Sequence, residues 1–250
     1  MRTLLFCNWA IRLTLCTIFV VYSLGCGIVS AASDDEIRTV EVSYIIHSLG
    51  SDIGTVNART VGSARNCDFK ADTSVNVHFW FFKFSLTSNE KARIRDGKLV
   101  SYHKIVDANG HHREISGELI GDILRMVARE GGKEEHKDIP VTGYITTNSE
   151  YPEMTLASGE VRVIPVVDLE NTAIVDRKYR QVTEEHAKIN GRDSRVIVSD
   201  FSDKNAEGRR WTTFIGGLPI VLRQEGKEKT GLFNPSYKVL QTKVTISKIR

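Results

Sequence analysis

Residues 98–129 read KLVSYHKIVDANGHHREISGELIGDILRMVAR, and two turn dipeptides, Asn109-Gly110 and Gly121-Asp122, divide the stretch. Both are pairs that primed hairpin turns require, because their residues tolerate positive φ. A two-residue turn at Asn109-Gly110 sets Ala108 against His111, Asp107 against His112, Val106 against Arg113 and Lys104 against Ile115. A second at Gly121-Asp122 sets Leu119 against Leu124, Gly117 against Met126 and Glu118 against Arg125. One face then carries Val100, Tyr102, Val106, Ile115, Gly117 and Leu119, and the other Ser101, His103, Asp107, His112, Glu114 and Glu118. An apolar face that survives two turns, with opposite charges meeting on the polar side, specifies an antiparallel meander. The spacing of Ile120, Ile123, Leu124 and Val127 offers a helix over 118–129 as the competing reading.

Working outward, Asp96-Gly97 and Asn190-Gly191 repeat the turn signal, and Glu207-Gly208, Gly216-Gly217 and Glu225-Gly226 add weaker ones. A strict two-residue loop at Asp96-Gly97 would oppose Arg93 and Lys91 to Val100 and Tyr102, a mismatch that a bulge relieves in part. Further strands are expected over 160–168, 173–182, 192–201, 209–215, 218–225 and 236–248, with Pro165 marking an edge or a bulge. Thr183 to Asn190 reads either as a short helix capped by Gly191 or as a hairpin with Lys188 facing Asp193. The charged run Glu130–Asp138 is expected to be a solvated loop and Tyr144–Pro152 a polar connection, so two halves join around 130–155. The expected fold is all-β: a strongly curved antiparallel sheet or open half-barrel built from hairpins, with little helix, forming one domain over 33–250.

The chain has 250 residues, 41% hydrophobic and 26% charged, which excludes wholesale disorder, collagen and coiled coil. A formal net charge of +3 is too balanced for a nucleic-acid footprint. Arg2 and Arg12 precede the uncharged run Leu13–Val29, small residues Ser30, Ala31 and Ala32 follow, and then Ser33-Asp34-Asp35-Glu36. That order is a secretory signal over 1–32, cleaved near Ala32, giving a periplasmic or secreted protein. Two alternatives share the segment: an uncleaved membrane anchor, and lipid attachment at Cys26 after Ser23-Leu24-Gly25. Cleavage would remove Cys7, Cys16 and Cys26 and leave Cys67 alone, so no internal disulfide is expected.

No catalytic constellation emerges. His103, His111 and His112 are close in sequence, but the hairpin register sends His111 and His112 to opposite faces and sets His103 roughly 13 Å from His112 along the strand. Asp107 and His112 read as an exposed cross-strand pair, and no metal or cofactor is implied. Nucleophile-elbow, zinc-protease and phosphate-loop patterns do not occur. Ser-x-x-Lys occurs at Ser88–Lys91 and Ser101–Lys104 without its partner sequences. The basic clusters Arg177-Lys178-x-Arg180 and Arg209-Arg210 read as solvated strand faces. The unusual segment is Phe79-Trp80-Phe81-Phe82-Lys83-Phe84. Read as one strand, it sends Trp80, Phe82 and Phe84 one way and Phe79 and Phe81 the other, so either both faces are buried or one lines a cavity.

The order of several landmarks resembles a family of uncharacterised secreted bacterial domains of unknown function. These landmarks are Arg95-Asp-Gly-Lys-Leu99, Asp107-Ala-Asn-Gly110, Leu156-Ala-Ser-Gly-Glu-Val161, and Trp211 followed by Gly217–Val221. In layout such domains are similar to the lipoprotein-carrier half-barrels of the periplasm, in which a curved antiparallel sheet holds acyl chains. The resemblance brings no catalytic residues, and the long covering helix of the carriers is not evident here. The expected function is non-enzymatic binding of a lipid, another apolar small molecule or an envelope protein, with no nucleic-acid partner. The ligand residues would be Trp80, Phe82, Phe84, Tyr102, Leu119 and Met126. The alternative is a structural or interaction module with a solid core and no ligand.

Overall fold

The computed structural model describes residues 38–63, 65–79, 82–140, 155–215, 218–229 and 236–248. The stretch 98–129 folds as the turn chemistry requires. Asn109 (φ 52) and Gly110 (φ 80) form a turn with both central residues at positive φ, whereas at Gly121-Asp122 only Gly121 (φ 61) is positive. All of the registers expected there hold, from Lys104 opposite Ile115 to Gly117 opposite Met126. A Cβ at Gly117 would lie 2.5 Å from Met126 Sδ, so a larger residue there would have to push the thioether aside. The helix over 118–129 is excluded.

Among the described residues, fourteen strands form one antiparallel sheet with almost no helix. They are β1 (Arg38–Ser48), β2 (Ser51–Gly62), β3 (Cys67–Phe79), β4 (Phe82–Arg95), β5 (Lys98–Ala108), β6 (His111–Ile120) and β7 (Ile123–Glu130). Then follow β8 (Lys133–Pro140), β9 (Val161–Asp168), β10 (Ala173–Ile189), β11 (Arg192–Ser202), β12 (Ala206–Ile215), β13 (Leu218–Glu228) and β14 (Ser236–Lys248). The spatial order runs β8 to β1, then β14 down to β9, so two meanders meet where β14 pairs with β1. Among the described residues β8 and β9 are the sheet's two edges, and the sheet stays open. Pro165 lies on the edge strand β9, as expected.

Several expectations need correction. Glu130–Asp138 is not a loop: Gly131-Gly132 turns the chain and Lys133–Pro140 is a strand paired to β7. Its outward charges are what an open edge needs to resist pairing with another chain. The aromatic run is not one strand either, because Phe79 pairs with Phe82 and the hairpin folds back between them. Trp80 and Phe81 lie outside the described residues. At Asp96-Gly97 a bulge at Val100 puts Leu99 opposite Ile94 and Ser101 opposite Arg93, so Leu99 and Tyr102 are both buried while Val100 is half-exposed. Thr183–Ile189 is strand, with Lys188 opposite Asp193.

The sheet packs against itself. Its larger core joins Val40, Tyr44, Val56, Phe84 and Ile115 from the N-terminal meander to Val167, Leu169, Leu218 and Ile220 from the C-terminal one. A smaller core gathers Leu156, Val166, Val175, Tyr179 and Phe201. Val166 and Val167 are adjacent on one strand and therefore face opposite ways, yet each is buried in a different core. The end of β9 is thus covered on both faces. The expectation that Cys67 stands alone concerns the chain cleaved near Ala32; in the full 250-residue chain Cys67 is buried and disulfide-bonded. Its partner lies outside the described residues, as do Cys7, Cys16 and Cys26.

Candidate functional site: buried charges and an end cavity

Alternation along each strand decides which polar residues are carried inward. Lys104 shares its parity with Tyr102 and Val106, and it is fully buried. Its Nζ lies 2.6 Å from Glu170 Oε1 and 3.6 Å from Glu90 Oε2, both carboxylates being 3% exposed or less. Arg113 on β6 donates to the Glu170 carbonyl at 2.8 Å. Lys104 of β5 and Arg113 of β6 therefore clasp the β9–β10 turn, with Glu90 of β4 beside Lys104, and Asp168 shapes that turn by accepting from the Glu170 and Asn171 amides at 3.1 Å. Burial raises the Glu90 pKa to about 7, with Lys104 acting to lower it and Glu170 to raise it. Burial, followed by the Glu170 and Asp168 charges, lifts Tyr102 well above the usual phenol range.

A second set of buried charges lies on the C-terminal meander. Arg177 is fully buried between Val175 and Tyr179 in sequence parity, and its Nε donates to Asp203 Oδ2 at 2.7 Å. Burial works to lower its pKa, but Tyr179 and Asp203 outweigh that and hold it above the ordinary value. Asp203 also accepts from the Asn205 and Ala206 amides at 2.7 and 2.9 Å, so one carboxylate shapes the β11–β12 turn and anchors the guanidinium. Arg210 donates to Gln224 Oε1 at 2.9 Å, and Gln224 in turn donates to Tyr237 Oη at 2.9 Å. The Phe201 ring lies 5.9 Å from the Arg177 guanidinium and 5.1 Å from that of Arg210. Arg177 and Arg210 are therefore not on solvated faces, as their clusters suggested. The missed signal is parity: each arginine falls on an inward position of its strand.

Of the expected ligand residues, Phe84, Tyr102 and Met126 are packed in the larger core and Leu119 is half-buried. Phe82 is placed by its backbone pairing with Phe79, and Trp80 is outside the described residues. None of those four packed or half-buried side chains lines any of the three spaces described next. A void of about 10 Å³ between β1, β2 and the 218–220 segment shows how closely that interior is filled. His103 pairs with Glu114 at 2.9 Å rather than with another histidine. Among the described residues no three His, Cys, Asp or Glu side chains gather in a way that could hold a metal.

Two larger spaces open at the ends of the strands. One, about 810 Å³, is a shallow groove over β11–β14 and the Leu49-Gly50 turn. Its charged groups pair with one another: Arg209 with Asp200 at 2.7 Å, Lys227 with Glu207 at 2.8 Å, and both Arg223 and Lys238 with Glu225, at 2.5 and 3.1 Å. The other, about 560 Å³ and more enclosed, lies at the opposite end. Its apolar wall is Ile189, Phe214, Ile215 and Ile246, and its polar wall includes Arg38, Arg192 and Asp193. Ile215 and Ile246 pack on the larger core from this side.

An open, self-packed antiparallel sheet with buried ion pairs and an end cavity defines a barrel-like β domain. Residues 44–212 match the domain of unknown function DUF6134, and the chain belongs to that family. It is similar to the crystal structure of a beta-barrel-like protein of domain of unknown function DUF1849 from Brucella abortus, with a TM-score of 0.58 over 86% of this chain and 98% of that one. At 10% identity that likeness is one of fold. No curated protein matches the chain.

Proposed function

We propose that this DUF6134 protein is a non-enzymatic binding protein of the bacterial cell envelope that holds an apolar ligand at the end of the sheet rather than inside it. The observation that carries the reading is the 560 Å³ cavity with its wall of Ile189, Phe214, Ile215 and Ile246. That volume falls within the roughly 300–1,000 Å³ of ligand sites, and an apolar wall with a few polar groups is their usual lining. The test is native mass spectrometry of the purified protein, together with titration of the neutral probe 1-N-phenylnaphthylamine. A co-purified lipid or saturable probe fluorescence is expected. A packed interior favours the second reading, a structural or interaction module, and absence of both signals would select it.

Export rests on the order of charge, apolar run and small residues before Ser33. The Cys67 disulfide needs a cysteine that precedes residue 33, so that bond and cleavage near Ala32 exclude each other in the mature protein. We expect the protein recovered from the envelope to begin near Ser33 and to show one thiol after unfolding. A diacylated Cys26 terminus, or an intact leader with no free thiol at Cys67, would overturn the processing.

A further inference from the structure

β13 pairs with β14 only over residues 236–240, whereas β1 pairs with it as far as Lys248. Among the described residues, 241–248 of β14 therefore pair with a strand on one side only. The β10–β11 hairpin reaches across to that other side. β9 pairs with β10 only as far as Arg180, and β12 pairs with β11 only from Val196 on. Residues 186–189 and 192–195 thus pair solely with each other, as a two-stranded arm beyond the sheet. The tip of the arm meets β14 through Asn190, whose Nδ2 donates to the Val244 carbonyl at 3.3 Å, and beside it Ile189 is buried. The 560 Å³ cavity lies between arm and sheet, with Ile189 and Asn190 on one wall and Phe214, Ile215 and Ile246 on the other.

A two-stranded ribbon alone is marginal in water, and this one is stiffened from within. Arg195 Nε donates to Glu184 Oε2 at 2.7 Å, and His186 pairs with Asp193 at 3.1 Å, each across the two strands of the hairpin. At its base Val182 is an extra residue between the rungs of Gln181 and Thr183, and such a bulge breaks the ladder and bends the strand. On the β11 side the body's hold ends where Thr213 Oγ1 donates to the Arg195 carbonyl at 2.7 Å. At the tip the latch is one neutral hydrogen bond beside one buried isoleucine. A stiff arm with a break at its base and a weak latch at its tip has the parts of a hinge. We propose that the β10–β11 arm is the gate of the end cavity. It turns about Val182, its tip leaves the β14 edge to part Ile189 from Ile246, and redocking closes the space. That the gate admits a ligand rests on the binding reading above; that it opens does not.

The test reads the tip and the ligand separately. Nitroxide labels on Lys188→Cys of the arm and Lys243→Cys of β14, both exposed positions, report the tip-to-edge distance in the mature protein by pulsed electron resonance, Cys67 being buried. A docked distance and a longer one are expected. Asn190→Gly removes the latch and suits the turn, since Asn190 sits at φ 50, so it should enlarge the longer population severalfold. In stopped-flow mixing with 1-N-phenylnaphthylamine the same substitution should speed association and dissociation together, about fivefold each, the loss of one neutral hydrogen bond. Glu185→Gln, exposed on the same hairpin, should change neither rate. A single docked distance that Asn190→Gly leaves unchanged overturns the gate, and probe titration then judges the binding reading by itself. Faster dissociation without faster association makes Asn190 a ligand contact and also overturns the gate. A wild-type protein that shows the longer distance but binds no probe overturns the binding reading and, with it, the gate's part in entry.

Discussion

Replacing Lys104 with methionine should destabilise the protein by about 3–5 kcal/mol, the cost of breaking a buried ion pair from one side. Methionine fills much of the same volume, so the loss comes from charge and not from a hole. Without the ammonium, the Glu170 carboxylate keeps its place in the protein with its 2.6 Å partner gone, and Glu90 loses its 3.6 Å neighbour. Glu170 belongs to the β9–β10 turn, 66 residues from Lys104, so the substitution also loosens the contact between the two meanders. Urea unfolding at constant m-value is the measurement, and exposed Lys91, on β4, is the control: Lys91→Met should shift stability by about 0.5 kcal/mol or less. Neutralising the whole cluster, with Glu90→Gln and Glu170→Met added to Lys104→Met, should recover most of the loss, because burying an ion pair beside a third carboxyl group is itself costly. A single-variant effect below about 1 kcal/mol would mean that the clasp does not hold the meanders together.

Part of that cluster is legible in the amino-acid sequence. The register of 98–129 sets Lys104 opposite Ile115 on the apolar face, which is an anomaly in a strand and a pointer to a buried partner. The partner is not legible, because Glu170 reaches Lys104 through packing of the sheet on itself and not through strand pairing. The meander from Lys98 to Arg129 can be read because its turn residues and its alternation agree. Glu130–Asp138 misleads for the opposite reason. An exposed edge strand has charges on both faces and so loses the two-residue signal, although Gly131-Gly132 is a turn mark in its own right. The aromatic run misleads because six consecutive aromatic-rich residues suggest one direction where the backbone reverses within them. The end cavity is out of the sequence's reach altogether. Its walls come from β1, β12, β14 and the β10–β11 arm, and they meet only once β14 closes on β1.

The pH dependence of stability should carry the signature of Glu90. Its carboxyl titrates near 7 in the folded protein, raised chiefly by burial, against a value of 4.5 for an unperturbed glutamate. Below about pH 4.5 it is protonated in both states and its contribution is complete. Between about 4.5 and 7 the unfolded chain releases the proton and the folded protein keeps it, so stability falls as pH rises. The fall amounts to about 3 kcal/mol across the interval and levels off once the folded group has ionised beside Glu170. Carboxylates held below their usual range act the other way. Asp200, where burial is outweighed by hydrogen bonds from Arg209 and Arg180, and Glu184, hydrogen-bonded by Arg195, add stability that is lost as pH drops below about 4. Glu90→Gln keeps the shape of the protonated acid and cannot ionise. Its stability relative to the wild-type protein should therefore rise by about 3 kcal/mol between pH 4.5 and 7.5, measured by urea unfolding at matched ionic strength. A difference between the two proteins that stays constant over that range would show that Glu90 ionises in the folded state as it does in water. In that case the clasp would hold Lys104 between two carboxylates at neutral pH, with Glu90 as a full second anion and not as a neutral acid.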